Sequence, residues 1–340
     1  MDLLSDVGKD GAHVRASSVG APPREKLMDG RLTQPVLERD PWLMQYFEDL
    51  YCSGDVRIPT DDGDAYLLFP EHRWVYNKLT IAESQGLTHA PHGITPPRFP
   101  VFSKPIYNMR GMGAESRILR TEAEYVRYLR PGDMWMQLLE GEHLSSDVAV
   151  TDGQPKWWRH AVGRSAGGGM FDYWIVLAER RARVEEYCGE WIRRHLQGYT
   201  GMMNLETIGG KIIEVHLRFS DQWPDLYGAG WLSALVALYQ RGRWEYSDSD
   251  RRDGYSVALF GPHGTSYRRP SAGALAGVLA LTGVSSVQVT FNEGEAPETH
   301  SMPPGGFRLA IVNCWNLESG RRARDLLSQS FGLARRQNGG

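Results

Sequence analysis

Residues 201–219 read "GMMNLETIGGKIIEVHLRF". Two runs of alternating polar and apolar residues flank Gly209-Gly210, the pattern of a β-hairpin with one apolar face. Met203, Leu205, Ile213, Val215, Leu217 and Phe219 share one parity; Asn204, Glu206, Glu214, His216 and Arg218 share the other. A two-residue turn would set Glu206 against Ile213 and mix the faces. A three-residue loop, 209–211, pairs Glu206 with Glu214 and Asn204 with His216, so the spacing predicts an odd loop. Two carboxylates directly across a ladder then lie about 5 Å apart and repel each other. In solvent that pairing gains nothing. Around Mg²⁺, which takes hard oxygen ligands, it becomes a source of affinity. A hairpin with one wet polar face is common, so other parts of the chain must carry some of the case.

The bulk numbers narrow the classes. A chain of 340 residues has room for two or three packed lobes. A net charge of −3 argues against broad non-specific binding to nucleic acid or anionic membrane. No apolar run approaches the roughly 20 residues that span a bilayer, and the N-terminus "MDLLSDVGKDGAHVRASS" lacks a signal-peptide pattern. Cys52, Cys188 and Cys314 lie far apart without metal or redox spacing, which suits a reduced, cytoplasmic setting. Lys occurs only at 9, 26, 78, 104, 156 and 211, and the other basic residues are Arg. A Lys inside a structured element here marks a place where a compact ammonium is wanted.

Along the chain, residues 1–35 are polar and rich in Gly and Ser, the composition of an unstructured segment. A helix is predicted across Trp74–Gln85, then a Pro-rich extended stretch, the strand "VFSKPI" and the glycine-containing loop "YNMRGMGAES". "TEAEYVRYLR" reads as a helix opened by a Thr121–Glu124 capping box. "MWMQLLEGE" and "SSDVAVTDG" read as paired strands. "WWRHAVGRSAGGGMFDYW" reads as a flexible loop bracketed by Arg159, His160 and Arg164, either gripping an anion or simply solvated. Asp147 and Asp172 read as structural acceptors. Residues 177–197 form a helix with the stripe Leu177, Val184, Cys188, Trp191, Ile192 and Leu196. A helix at "WLSALVALYQRG" follows, and then a strand–helix–strand–strand–helix unit. The class is α+β.

Four stretches in order, spanning residues 71–220, resemble the ATP-grasp enzymes. "GMMNLETIGGKIIEVHLRF" is similar to their metal-binding hairpin, where Glu or Gln, then Glu-x-Asn-Pro-Arg, hold magnesium and the transferring phosphate. "FPVFSKPIYNMRGMG" is similar to their Lys-Pro strand and phosphate-covering glycine loop. "MWMQLLEGEH" resembles the strand and hinge that receive adenine, and "WVYNKLTIAESQGL" the helix with an Asn-Lys start. The resemblance implies an ATP-grasp fold with nucleotide between two α+β lobes. The expected divisions are an N-terminal segment 1–35, a short preceding region 36–98, a small lobe 99–150, a large lobe 151–248 and a C-terminal unit 249–340.

It also implies ATP and Mg²⁺, with Mn²⁺ as the alternative ion. Lys104, Gly111, Met112, Gly113 and the backbone of Gln137, Leu138 and Leu139 would meet the nucleotide, and Glu142 or His143 its ribose. Glu206, Glu214 and His216 would hold the metal, with Arg218 and Lys104 in catalytic roles. His216-Leu217 stands where the family has Asn-Pro, so His216 is either a softer metal ligand or a contact to phosphate or substrate. The implied reaction joins a small-molecule carboxylate to an amine through an acyl phosphate, releasing ADP and phosphate. A small-molecule kinase and a degenerate nucleotide-binding regulator are the alternatives. No nucleic-acid or membrane partner is expected, and a homodimer is left open.

Overall fold

The computed structural model describes residues 56–109, 115–300 and 302–333, and the short pieces 27–28, 30–33, 36–37, 46–47 and 52–53. Most of the segment expected to be unstructured, and the glycine loop with Gly111, Met112 and Gly113, lie outside the described residues. The short strands β1 (Leu27–Met28), β2 (Gly30–Thr33), β3 (Val36–Leu37), β4 (Cys52–Ser53) and β5 (Ile58–Pro59) come first. They make an antiparallel sheet in the order β1-β2-β4 and a parallel β3-β5 pair.

Helix α1 (Asp62–Leu68) starts at an Asp61 cap. The single helix expected across Trp74–Gln85 is in fact a 3-10 turn, Arg73–Tyr76, followed by α2 (Lys78–Glu83). Asn77 causes the break: its Oδ1 accepts from the N–H groups of Leu79 and Thr80 at 3.0 and 3.4 Å, the geometry of an N-cap. Lys78 thereby becomes the first residue of α2.

Strands β6 (His89–Pro91), β7 (Val101–Pro105), β8 (Arg117–Leu119) and β9 (Asp133–Gln137) form a four-stranded sheet in the order β6-β9-β7-β8, with α3 (Glu122–Arg127) between β8 and β9. Thr121 caps α3 as expected, but Glu124 reaches back to the N–H of Arg120 at 2.7 Å rather than to that of Thr121. The pairing expected between 134–142 and 145–153 does not occur. Strand β9 belongs to this sheet, whereas β10 (His143–Thr151) belongs to another, and residues 138–142 cross between them.

The large sheet is antiparallel throughout. It takes β10, β11 (Gln154–Gly167), β12 (Met170–Val176), β13 (Gly201–Ile208), β14 (Lys211–His216), β15 (Gly254–Gly261), β16 (Val284–Val289) and β17 (Phe307–Cys314) in the order β14-β13-β10-β11-β12-β15-β17-β16. Helices α4 (Ala182–His195), α5 (Trp231–Arg241), α6 (Ala272–Leu279) and α7 (Leu317–Ser330) accompany it. The C-terminal succession follows the sequence reading, and its strands extend this sheet through β12–β15 pairing. The supposed basic loop at 157–174 is a β-hairpin instead, with Arg159 and His160 buried in it.

One sheet face packs Cys188, Trp191, Ile192 and Leu196 against Met203, Leu205, Ile212, Val215 and Leu217. The predicted apolar stripe therefore does face the core, although α4 itself begins only at Ala182. The opposite face buries Ala149, Trp157, Met202, Phe219 and Trp231 at one end and carries the polar site at the other. No helix among the described residues is long and apolar enough to cross a membrane.

Candidate active site

The hairpin has the predicted register, reached by a different device. Asn204 pairs with His216 and Glu206 with Glu214, yet Ile208 pairs with Lys211 around a two-residue turn. Gly209 and Gly210 have φ of 56° and 77°, as the favoured hairpin turn requires at both central positions. The extra residue that restores the parity is a β-bulge between Glu206–Glu214 and Thr207–Ile212. Ile213 is the bulged residue, so Ile212, not Ile213, occupies the core. The bulge matters chemically, because the Ile213 carbonyl accepts from the Lys104 ammonium at 2.7 Å.

Strand β14 is the edge of the large sheet, and an edge strand leaves backbone groups exposed. At Ile212 the side-chain amide of Gln85 takes both of them: Nε2 donates to the carbonyl and Oε1 accepts from the N–H, each at 2.8 Å. Helix α2 is thus fastened beside the hairpin, and Lys78 lies 2.9 Å from a Glu214 oxygen. The small sheet, α2 and the hairpin therefore bring two buried ammoniums, Lys78 and Lys104, to one carboxylate pair. Burial pulls Lys104 down to about 8, with Lys78 adding to the fall and Glu214 and Glu206 opposing it.

Glu206 faces His143, whose Nε2 is 3.3 Å away. Burial disfavours the Glu206 charge, but the bond and charge of His143 outweigh it and hold the carboxyl near 2. Burial pulls His143 down and Glu206 pushes it up more strongly, leaving it raised. Glu142 turns away to Arg181 at 3.4 Å. The connection 138–142 rests on the hairpin tip. The Gly209 N–H donates to the Glu142 carbonyl at 3.1 Å, and a Cβ at Gly141 would come within 2.7 Å of the Gly209 Cα. Glycine is needed on both sides of that contact. Gln137 is tied to Thr88 through its N–H and its side-chain oxygen, at 2.8 and 3.0 Å. Leu138 lines a cavity of about 230 Å³ with Arg98, Phe99 and Trp135, and Leu139 packs against the cluster of Met134 and Met136.

The next row of the sheet runs Arg159, Asp147, Asn204, His216 across four strands. Asp147 accepts from Asn204, Tyr227 and the Ser220 N–H at 2.6, 2.6 and 2.8 Å. Burial pushes it up to about 6, and these bonds moderate the rise. It is the structural acceptor its sequence suggested, and it anchors the loop leaving β14. His216 and Arg218 both turn to Asp62, the first residue of α1. His216 Nδ1 is 3.0 Å from each Asp62 oxygen, and Arg218 Nε and Nη2 lie at 3.1 and 3.3 Å. Burial opposes ionisation of Asp62, but Arg218 and His216 prevail and hold it far below the usual carboxylate range.

The structure therefore gathers Lys104, His143, Glu206, Glu214, His216 and Arg218, with Glu142 and the hinge at the rim. Sequence reasoning assigned nothing to Lys78 or Asp62. The scarcity of Lys was a usable signal for the first; nothing in "PTDDGDAY" marked the second. Among the described residues, no group of three or more His, Cys, Asp or Glu side chains is placed so that it could hold a metal ion. Glu206 and Glu214 on one face, with an imidazole nitrogen 3.9 Å from Glu214, are nonetheless donor types that a divalent cation such as Mg²⁺ or Mn²⁺ takes.

No family model and no curated protein sequence matches the chain. Solved structures do. A phosphoribosylglycinamide synthetase from Anaerococcus prevotii matches with a TM-score of 0.55 at 12% identity, over 85% of this chain and 84% of its own. A carboxyaminoimidazole ribonucleotide synthase from Aspergillus clavatus, complexed with ATP, matches at 0.54 and 11%, over 77% and 74%. An L-amino acid ligase from Bacillus licheniformis matches at 0.53 and 14%, over 75% and 71%. At such identities the likeness establishes a shared fold.

Proposed function

Since this chain has the ATP-grasp fold, we propose that it is an ATP- and Mg²⁺-dependent ligase joining a carboxylate to an amine. The observation that carries the reading is the Glu206–Glu214 pair set across adjacent strands, with Lys104 and Lys78 beside it. Unlike charges concentrated in a partly dry cleft suit a polyphosphate and its counter-ion, and positioning with charge neutralisation is most of phosphoryl-transfer catalysis.

In this reading Glu206, Glu214 and His216 hold the metal, which when bound neutralises phosphate oxygens. Lys104 and Lys78 meet the phosphates as point charges. The Gln137 N–H is engaged by Thr88, which leaves the backbone of Leu138 and Leu139 for adenine. Glu142 or His143 receives the ribose hydroxyls. Arg218, steadied by Asp62, stabilises charge on the transferring phosphoryl group. The substrate carboxylate attacks the γ-phosphorus and ADP leaves; the amine then attacks the acyl carbon of the acyl phosphate, and inorganic phosphate leaves with its electron pair.

The test is to incubate the protein with ATP, Mg²⁺ and a mixed acid–amine library and assay ADP against AMP. ADP release with a new amide is expected, and a folded Glu214→Gln protein should lose it. AMP release, or unchanged turnover by Glu214→Gln, would overturn the reading. A stable phosphorylated product without amine would make it a kinase.

A further inference from the structure

Asp62 is 4% exposed and comes from α1, far in sequence from the hairpin it touches. A fork from Arg218 would by itself satisfy both of its oxygens. The fold nevertheless brings a second basic group, His216, onto the same oxygens. A purely structural tether has no need of that crowding. Its consequence is orientation. With Nδ1 committed to Asp62, the buried ring turns Nε2 toward Glu214, 3.9 Å from the Oε1 that Lys78 also meets at 2.9 Å, and no hydrogen bond engages that nitrogen among the described residues.

We propose that Asp62 is a positioning residue that fixes the His216 ring with Nε2 as the third ligand of a cation shared by Glu206 and Glu214. The inference rests on reading the hairpin as a metal–nucleotide site and goes beyond it by adding the residue that aims the ligand. A carboxylate behind a ligating imidazole sets its tautomer and raises its basicity. The same carboxylate holds Arg218 next to the ligand, so one buried acid orders both groups. One nitrogen among oxygen donors is a softer set than carboxylates alone, and it favours Mn²⁺ over Mg²⁺ relative to an all-oxygen site.

The experiment uses the full chain with Mn²⁺ and ADP, read by electron spin echo envelope modulation. The wild-type complex is expected to show the ¹⁴N coupling of a metal-bound imidazole. His216→Gln should lose that coupling and His143→Gln should keep it. Asp62→Asn should weaken Mn²⁺ binding in the presence of ADP by roughly 10–100-fold and diminish the nitrogen signal. A wild-type Mn²⁺–ADP complex without nitrogen coupling would overturn the inference while leaving the nucleotide-site reading intact. So would coupling that follows His143, or an Asp62→Asn protein with unchanged affinity and spectrum. Failure of the wild-type protein to bind Mn²⁺–ADP at all would sink both. The wild-type spectrum and the two histidine variants decide the ligand even if Asp62→Asn does not fold.

Discussion

Lys104 provides the sharpest test of the cleft. The residue is 5% exposed, and burial lowers its ammonium from an ordinary 10.5 to about 8. At about 1.4 kcal/mol for each tenfold, holding that charge in the free protein costs about 3 kcal/mol. A bound polyphosphate supplies the missing counter-charge and returns the proton, so nucleotide binding must take up protons. With a midpoint near 8 the uptake should be roughly 0.1 at pH 7, 0.5 at pH 8 and 0.9 at pH 9, and affinity should fall toward tenfold per pH unit above 8. Calorimetry of Mg²⁺–ADP binding in buffers of different ionisation enthalpy reads the uptake directly. Stability carries the complementary sign. Below pH 8 the folded and unfolded chains both hold the proton and the penalty is fully present. Between about 8 and 10.5 the folded chain loses it first, the unfolded chain binds more protons, and stability rises with pH. Lys104→Met should remove that rise and the coupled uptake, and should weaken nucleotide binding without weakening the fold at pH 7. Equal uptake at pH 7 and pH 9 in the wild type, or unchanged uptake in Lys104→Met, would refute the reasoning.

Two further substitutions probe the scaffold. Gln85→Ala removes both partners of the buried Ile212 backbone; at about 1–3 kcal/mol for each unpaired group, urea unfolding should show a loss of roughly 2–6 kcal/mol, and faster amide exchange should be confined to β14. A loss below about 0.5 kcal/mol would mean that Gln85 does not secure that edge. Gly163→Ala places a Cβ that overlaps the Phe171 ring and comes within 3.2 Å of Trp174. Both rings touch His143. Overpacking of this kind typically costs about 1–3 kcal/mol, with a changed near-ultraviolet circular dichroism signal; an unaltered midpoint and spectrum would contradict the packing.

Much of this molecule is legible in one dimension because it rests on local periodicity. The alternation of 201–219, the stripe of α4 and the order of the C-terminal elements are short-range patterns that the fold needed only to accept. Errors arose where a local group or a distant partner intervened. Asn77 stopped a helix whose hydrophobic pattern continued, and β9 and β10 paired with strands remote in sequence rather than with each other. The hairpin is the instructive case. Face parity required Glu206 opposite Glu214, and an odd loop and an even turn with one bulge meet that requirement equally well. Only packing against Lys104 and Gln85, which engage the bulge and the residue beside it, selects between them.

The residue types of the site and the pairing of its two acids were thus determined by the sequence alone, since a period of two leaves no freedom once one face must be buried. Tertiary structure decided which charges answer those acids. Lys78, His143 and Asp62 come from a helix start, a strand start and the first turn of α1, and no spacing relates them. Their meeting is set by how two sheets and two helices close on one hairpin, and charges act through space rather than along the chain.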